Sequence, residues 1–439
     1  MEREAIKNLI KWNEKEKRKP LIIRGARQVG KSYLISQFKD MYYKDNYIPC
    51  SFDRDETLKN LFLTKNPDSL LNLLSIKFNK TITKDTLIIL DEIQLCPEAL
   101  SSLKSIYETH PDYHIICAGS LLGIFFHKDF SFPVGKVEFL DLYPLTFKEF
   151  LKADNPGLYK LFETNDINLF EPFHLELVNE LKKYYYIGGM PEVVQKYLDL
   201  KQDSSQAFAE VRTIQNNILD SYINDISKHN DNSLITLRIK EVFKSIPVQL
   251  AKENKKFVYK DIKENNKGKR DYQIAIEWLL NSGLVYKINS ITKPNIPLES
   301  YLNETVFKLY FFDVGLLACM CKIDLSTLIS KNNIFTEFKG ALTENYVLNQ
   351  LVVNKNLKIC TYQTSLSTTK IEFLVDNGKS ITPIEVKAET NLKAKSLKMF
   401  KEKYHPNKSI RTSLSTFKDK GDLIDLPLYL IQDINQFIN

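Results

Sequence analysis

Glycine is scarce in this chain and cysteine is scattered, because only 14 of the 439 residues are glycine and six are cysteine. There is no CxxC pair and no Cys/His spacing typical of a zinc site, which excludes the common zinc-binding motifs. Cys96 and Cys117 stand near the ends of apolar runs. We therefore expect reduced thiols, as in a cytosolic protein.

Long apolar runs are also missing. The longest mostly apolar stretch, residues 115–126, is too short to span a bilayer. The charged beginning Met1-Glu2-Arg3-Glu4 lacks the apolar core of a signal peptide. We therefore expect a cytoplasmic protein without a membrane partner. The net charge of +7 is mild, so it permits a nucleic-acid partner and does not require one.

Because glycine is scarce, one glycine-bearing stretch is informative. Residues 25–32 read Gly-Ala-Arg-Gln-Val-Gly-Lys-Ser, a full match to Gly-x4-Gly-Lys-Ser/Thr. An apolar run, 21–23, precedes it and a helical pattern follows it, which is the strand–loop–helix frame of a phosphate-binding loop. The residues expected to contact ATP are Gly25, Ala26, Arg27, Gln28, Val29, Gly30, Lys31, Ser32 and Tyr33.

A second motif gives this loop a catalytic context. The apolar run 86–90 ends in Asp91 and Glu92. In a phosphate-binding-loop ATPase, Lys31 would reach the β- and γ-phosphates, while Ser32 and Asp91 would hold Mg²⁺. Glu92 would orient and deprotonate the attacking water. Standing alone, the two carboxylates would indicate only a solvated strand end.

Strand and helix patterns alternate to about residue 145, which predicts a parallel sheet covered by helices. A further strand over 114–120 ends at Ser120. If this strand lies between the two motif strands, Ser120 would sit beside the γ-phosphate as a catalytic sensor. Standing alone, it would be an ordinary serine at a strand end.

The middle of the chain is mainly helical. The stretch 184–191, Tyr-Tyr-Tyr-Ile-Gly-Gly-Met-Pro, predicts a tight corner between helices, and its tyrosines favour packing over base stacking. Helical patterns over 237–246, 257–262 and 271–282, followed by a strand over 284–288, have the order of a winged helix. Lys267, Lys269 and Arg270 place cations before the third helix, the end that normally enters a DNA groove. Many winged helices contact only proteins, so DNA and a protein partner both stay open.

The C-terminal part carries a constellation of charged residues. Glu344 lies on an otherwise apolar helix face, and Glu372 and Glu385 belong to two predicted strands joined by a turn at residues 377–378. Lys387 follows Glu385 by two residues and therefore shares its face. The set matches a Mg²⁺-dependent nuclease site, in which carboxylates hold metal and Lys387 positions water. A solvent face of alternating Glu and Lys is common, and spacing alone favours that interpretation.

Together these motifs resemble a prokaryotic family of AAA-type P-loop ATPases that carry a C-terminal domain of unknown function. The resemblance covers the chain from about residue 15 to its end, and also rests on the stretches 118–120, 143–150, 188–192, 308–316 and 339–345. It implies an AAA-type core, a winged helix, and a domain similar to the PD-(D/E)xK nuclease fold. Glu344, Glu372, Glu385 and Lys387 match the positions of that nuclease fold.

Two departures from the family pattern affect function. Where the family usually has Glu-Ile-Asp-Phe, this chain has Lys370-Ile371-Glu372-Phe373, and the longer side chain of Glu372 would shift a metal ligand. Where the family tends to have Gly-Arg, this chain has Gly135-Lys136, and a lysine gives a weaker, monodentate contact to a phosphate. Arg24, Arg27 and Arg212 are all candidates for an arginine finger.

The predicted fold class is α/β, divided into four parts. They are an AAA-type ATPase core (1–165), a helical extension (166–230), a winged helix (231–305) and a restriction-endonuclease-like domain (306–439). The predicted function is Mg-ATP binding and hydrolysis coupled to DNA through the last two parts. The alternative is a nucleotide-dependent binding switch, in which the nuclease-like domain is inactive and docks DNA or a protein partner.

Overall fold

The computed structural model of the chain describes residues 1–120, 135–164, 166–228, 233–252, 256–262, 269–324, 336–363, 369–389 and 395–438. Two compact units form: Met1–Tyr143 together with Asn281–Gly283, and Pro144–Leu280 together with Leu284–Asn439. Among the described residues, no helix combines the length and apolar character that a bilayer crossing needs. All six cysteines are free and five of them are buried, as expected for reduced thiols.

The first unit contains a five-stranded parallel sheet. Its strands are β1 (Leu21–Gly25), β2 (Tyr47–Ser51), β3 (Leu87–Asp91), β4 (His114–Ser120) and β5 (Glu138–Asp141). They are ordered β2-β3-β4-β1-β5, and every neighbouring pair is parallel. The predicted parallel sheet is thus confirmed, and so is the extra strand, because β4 separates the two motif strands β1 and β3.

Helices cover this sheet and close its core. They are α1 (Ile6–Asn13), α2 (Lys31–Tyr42), α3 (Thr57–Leu61), α4 (Pro67–Lys77) and α5 (Pro97–Thr109). Helix α4 has a capped start, because Asn66 accepts a hydrogen bond from the Ser69 N–H and Pro67 occupies the first turn. Buried aliphatic residues of β1, β3 and β4 pack against α5 and α4. This packing holds the carboxyl ends of the strands at one edge of the sheet.

The second unit begins with helices. They are α6 (Phe147–Asp154), α7 (Pro156–Tyr159), α8 (His174–Ile187), α9 (Pro191–Leu200) and α10 (Ser204–Lys228). The predicted helix behind Pro144 is confirmed as α6, which starts with a capping box. The Thr146 hydroxyl accepts from the Glu149 N–H at 3.2 Å, and the Glu149 carboxylate accepts from the Thr146 N–H at 2.9 Å.

The predicted corner between α8 and α9 is also confirmed. Gly188 has a φ of 76°, a conformation that favours glycine, and the Gly189 N–H donates to the carboxylate of Asp313 at 2.7 Å. The three preceding tyrosines are buried, as their packing interpretation predicts. The Tyr184 hydroxyl donates to the Leu145 carbonyl at 2.5 Å, and the Tyr185 ring lies 5.0 Å from the Tyr346 ring.

The region of the predicted winged helix has two long helices and a hairpin. They are α11 (Ser233–Ala251), α12 (Lys269–Asn281), β6 (Val285–Ile291) and β7 (Leu302–Phe311). The helix predicted over 257–262 is wrong, since only the 3-10 turn Tyr259–Asp261 forms there. The first residue of the predicted helix, Phe257, is hydrogen-bonded to the hairpin instead, because its N–H donates to the Phe307 carbonyl at 2.6 Å.

The hairpin joins one eight-stranded sheet, ordered β12-β13-β11-β10-β9-β8-β6-β7. The other strands are β8 (Lys358–Gln363), β9 (Lys370–Asp376), β10 (Ile381–Val386), β11 (Ser409–Ser413), β12 (Lys418–Asp419) and β13 (Leu423–Pro427). The accompanying helices are α13 (Val314–Met320), α14 (Thr336–Leu351), α15 (Lys395–Tyr404) and α16 (Asn435–Ile438). The predicted boundary between residues 305 and 306 falls inside β7, and the division into four parts stays a prediction.

Short 3-10 helices complete the described part of the chain. They are Ile93–Leu95, Lys160–Glu163, Ile167–Phe173, Tyr259–Asp261, Leu298–Tyr301 and Leu428–Asp433.

Candidate functional site

The loop between β1 and α2 has the conformation of a phosphate cradle. Gln28 and Gly30 both have positive φ, 66° and 94°, which turns the loop back on itself before α2 begins at Lys31. Glycine at position 25 allows the loop to pass close to the backbone of Leu142. A Cβ added at Gly25 would lie 2.3 Å from the Leu142 carbonyl oxygen. The start of α2 adds partial positive charge to this cradle.

Lys31 lies within the loop. Its ammonium group donates to the carbonyl oxygens of Gly25 at 3.1 Å and Ala26 at 2.9 Å, and the residue is 8% exposed. Burial lowers the pKa of Lys31 to about 8, although the charges of Glu92 and Asp91 act to raise it. A phosphate group in the cradle would favour the charged ammonium form.

The two sequence motifs meet at Ser32 and Asp91. The Ser32 hydroxyl donates to the Asp91 carboxylate at 3.2 Å, although the residues are 59 positions apart. Parallel strands bring this about, since β1 and β3 both end at the same edge of the sheet. A hydroxyl and a carboxylate are oxygen ligands of the kind Mg²⁺ prefers, so this pair fits a magnesium ion.

Glu92 follows in a left-handed conformation, with a φ of 52°. Its backbone N–H donates to the Asp91 carboxylate at 3.1 Å, and its own carboxylate accepts from the side-chain amide of Gln94. A non-glycine residue in this region of φ/ψ space is uncommon and concentrates at functional sites. The turn directs the backbone away from β3 directly after the two carboxylates.

The remaining predicted nucleotide contacts surround this centre. Four residues are exposed: Arg27, Gln28, Ser32 and Tyr33. Two other residues of the loop, Ala26 and Val29, are buried. The backbone of Ser120 pairs in register with Gly25, at the end of β4 nearest the loop. The side chain of Ser120 lies outside the described part of the chain.

Arg3 is a contributor that sequence reasoning missed. It is 5% exposed, and its guanidinium donates to the Val29 carbonyl at 2.9 Å and to the Tyr143 carbonyl at 2.5 Å. One planar group thus ties the phosphate-binding loop to Tyr143, two residues after the end of β5. An arginine in a charged lead-in carries no sequence signal for this role.

The other predicted basic residues are engaged elsewhere. Arg24 forms an ion pair with Asp141 and lies over the Phe139 ring at 4.4 Å. Arg212, in the second unit, donates to the Ile323 carbonyl at 2.7 Å and lies over the Tyr186 ring at 3.6 Å. Lys136 pairs with Glu108 at 3.0 Å. No described contact directs Arg24 or Lys136 toward the phosphate-binding loop.

The cations predicted to face DNA are only partly described. Arg270 is exposed at the beginning of α12. Lys267 and the side chain of Lys269 lie outside the described residues.

The three predicted nuclease carboxylates of the second unit lie near one another, and each of them is paired with a lysine. The Glu344 carboxylate accepts from Lys308 at 2.6 Å and from the Tyr310 hydroxyl at 2.5 Å. Glu372 pairs with Lys370 at 3.2 Å, and Glu385 pairs with Lys387 at 3.1 Å. The prediction that Glu385 and Lys387 share a face is confirmed. Within the described ranges, no three Asp, Glu, His or Cys side chains are arranged to hold a metal ion.

The electrostatics of these carboxylates differ. Burial would raise the pKa of Glu344, but the charges of Lys308 and Lys370 lower it to about 2. Burial raises the pKa of Glu385, which is 3% exposed, and Lys387 opposes that shift. One carboxylate oxygen of Glu385, Oε2, is buried without a hydrogen-bond partner.

Residues 17–151 match the family model described as an AAA domain. This part of the chain is therefore similar to AAA domains. Residues 178–327 and 339–429 match two models described only as domains of unknown function, DUF8612 and DUF4143. The AAA match covers β1 to β5 and both nucleotide motifs, so it agrees with the α/β fold and the nucleotide-binding interpretation of the first unit.

One relative is the uncharacterized protein MJ1544 of Methanocaldococcus jannaschii. The alignment spans 430 residues with 23% identity, and the match covers 91% of this chain and 82% of the relative. Among solved structures, the Orc1 protein of Aeropyrum pernix in complex with DNA is 12% identical, with a TM-score of 0.29 over 73% of this chain and 91% of that chain. Cdc6p of Pyrobaculum aerophilum is 10% identical, with a TM-score of 0.21 over 69% and 86%. At these TM-scores neither structure bears on function.

Proposed function

We propose that this chain is an ATPase that binds Mg-ATP in the cradle of residues 25–33 and hydrolyses it. The observation that carries the proposal is the contact between Ser32 and Asp91, because it joins the phosphate-binding motif to the carboxylate motif. Lys31 stands beside this pair, buried within the loop. The matching AAA model over residues 17–151 supports the same proposal.

Each residue has a role set by its position. Lys31 exchanges the loop carbonyls for phosphate oxygens, and the N–H groups at the start of α2 face the same anion. Ser32 and Asp91 hold Mg²⁺, which supplies positive charge to the phosphates when bound. Glu92 accepts the proton of the attacking water, and Ser120 senses the terminal phosphate from β4.

The ATPase cycle is coupled to DNA through the second unit in this proposal. The helix–turn–helix–hairpin order of residues 233–311 and the exposed Arg270 support it. Nucleotide state would then change the affinity for DNA. If the region contacts a protein partner instead, DNA binding should be weak and insensitive to salt. Salt dependence arises only when lysines and arginines contact DNA phosphates and release counterions.

A second candidate function is a nucleotide-dependent binding switch whose C-terminal domain docks DNA or protein without cutting. The lysine partners of Glu344, Glu372 and Glu385 favour it. Their ammonium groups satisfy the carboxylates that a nuclease would offer to metal.

One experiment tests ATP turnover and DNA cleavage together. ATP turnover is measured with and without duplex DNA, in Mg²⁺ and in Mn²⁺, while the DNA is followed on a gel. DNA-stimulated turnover with intact DNA supports the ATPase and the binding switch. Stimulated turnover with cut DNA, abolished in Lys387→Ala, supports a nuclease. Absence of turnover under every condition contradicts the ATPase proposal.

A further inference from the structure

The C-terminal carboxylates form a cluster in which positive and negative groups are equal in number. Three carboxylates, Glu344, Glu372 and Glu385, are paired with three lysines, Lys308, Lys370 and Lys387. The side chains of Glu344, Glu372 and Glu385 are only 13%, 14% and 4% exposed. Charged groups buried to this extent require partners, and here the chain supplies them itself.

Lys370 differs from the other two lysines because it contacts two carboxylates. Its ammonium nitrogen lies 3.2 Å from Glu372 Oε1 and 4.0 Å from Glu344 Oε2. Lys370 and Glu372 are two residues apart on β9, so both project from the same face of the sheet. The ammonium group therefore stands between an acid of β9 and an acid of α14.

A divalent ion at this cluster would meet a poor donor set. Glu344 Oε1 already accepts from Lys308 and from the Tyr310 hydroxyl, and Glu372 Oε2 accepts from the Val386 N–H at 3.3 Å. Carboxylate charge is what gives oxygen sites their affinity for Mg²⁺ and Mn²⁺, and the lysines cancel it. The residues present do not fit a metal ion without the displacement of Lys370.

We propose that Lys370 is the built-in cation of this cluster: its ammonium group takes the place between Glu344 and Glu372 that a divalent metal would occupy. The C-terminal domain consequently holds no Mg²⁺ or Mn²⁺ at these acids. This proposal is independent of the ATP site in the other unit.

The test is Mn²⁺ binding to the nucleotide-free full chain, measured by electron paramagnetic resonance of the unbound ion. Wild-type protein and the control Lys358→Met should show the same background Mn²⁺ binding. The control removes an exposed lysine at the start of β8. Lys370→Met and Lys370→Gln should each gain one site with at least a tenfold higher affinity than that background. Adding Glu372→Gln to either variant should remove the gained site, because Glu372 is one of the two acids on either side of Lys370.

Two outcomes would overturn the proposal. In the first, wild-type protein binds one Mn²⁺ that Glu372→Gln alone removes. In the second, both folded Lys370 variants stay at background, which would show that Lys370 does not exclude the metal. Melting curves establish that each variant is folded, and the pair of substitutions protects the test from one unstable variant.

Discussion

The Ser32 hydroxyl donates a hydrogen bond of 3.2 Å to the Asp91 carboxylate. The two residues come from different motifs, with Ser32 in the first turn of α2 and Asp91 at the end of β3. If they hold one Mg²⁺ ion, each contributes an oxygen ligand, and the loss of either ligand weakens the binding of Mg²⁺.

Asp91→Asn should therefore raise the Mg²⁺ concentration needed for half-maximal ATP turnover by about 10- to 100-fold. The folded structure should be retained, since the amide can still accept from Ser32. Turnover as a function of Mg²⁺ measures the effect, with Asp40→Asn, an exposed acid of α2, as the control. An unchanged Mg²⁺ requirement in Asp91→Asn would exclude the assigned ligand.

Nucleotide binding should be linked to proton uptake at Lys31. Its pKa in the free protein is about 8, so roughly half of the molecules carry an uncharged amine at pH 8. Phosphate favours the charged form and raises that pKa, so binding takes up about half a proton at pH 8. The uptake falls toward zero below pH 7, where Lys31 is already protonated, and grows above pH 8.

Calorimetry in two buffers with different ionisation enthalpies measures this uptake. Lys31→Arg, which stays charged, should bind without it, and Lys39→Met on the same helix should behave like wild type. Equal binding enthalpies in both buffers for wild-type protein at pH 8 would contradict the assignment.

Arg3 should be needed to keep the phosphate-binding loop in place. Arg3→Met leaves the Val29 and Tyr143 carbonyls without their shared donor, at a cost of about 1–3 kcal/mol in unfolding free energy. The KM for ATP should rise more than kcat falls, because Arg3 positions the loop and does not touch the reacting atoms.

Arg3→Lys should restore only part of the effect, since one ammonium cannot reproduce the planar fork. Lys7→Ala, an exposed position on α1, is the control. A KM equal to that of wild type in Arg3→Met would show that the contact does not shape the cradle.

Asp313 should make the stability of the second unit fall as pH rises through the acid range. It is 1% exposed, and burial raises its pKa to about 6 against hydrogen bonds from the N–H groups of Gly189 and Leu316. The folded pKa lies above the unfolded value of 3.8, so the folded state binds more protons between these values. This contribution is complete below pH 3.8 and is lost as pH rises to about 6.

Chemical denaturation of wild-type protein and Asp313→Asn between pH 4 and pH 7 checks this sign. The variant should lose about 1–3 kcal/mol, since its amide presents one acceptor to two N–H donors. The difference between the two proteins should be largest near pH 4. A difference that grows as pH rises to 7 would contradict the raised pKa.

Much of the first unit follows from sequence alone. Short apolar runs before Gly25 and Asp91 are typical of buried strands, and a parallel sheet brings the carboxyl ends of such strands to one edge. The Ser32–Asp91 contact is therefore a consequence of motif order. Arg3 was not foreseeable in this way, because its partners are backbone carbonyls, which have no sequence identity.

In the second unit, residue spacing along the sequence did not predict the lysine partners of Glu344 and Glu372. The sequence comparison drew attention to the longer side chain of Glu372, whereas the structure points to the charge beside it, Lys370. Lys308 was not foreseen, because it reaches Glu344 of α14 from β7, a different element of the same predicted domain. An ion pair between a strand and a helix far apart in the chain depends on how these elements pack, and local periodicity does not give that packing.

The most direct measurement is ATP binding and hydrolysis by Glu92→Gln beside Lys31→Ala. If Glu92 accepts the proton of the attacking water and Lys31 holds the phosphates, Glu92→Gln should bind ATP as tightly as wild type and lose about 10²- to 10⁴-fold in turnover. Lys31→Ala should lose binding itself. Turnover that survives intact in the double variant Lys31→Ala/Glu92→Gln would contradict the account.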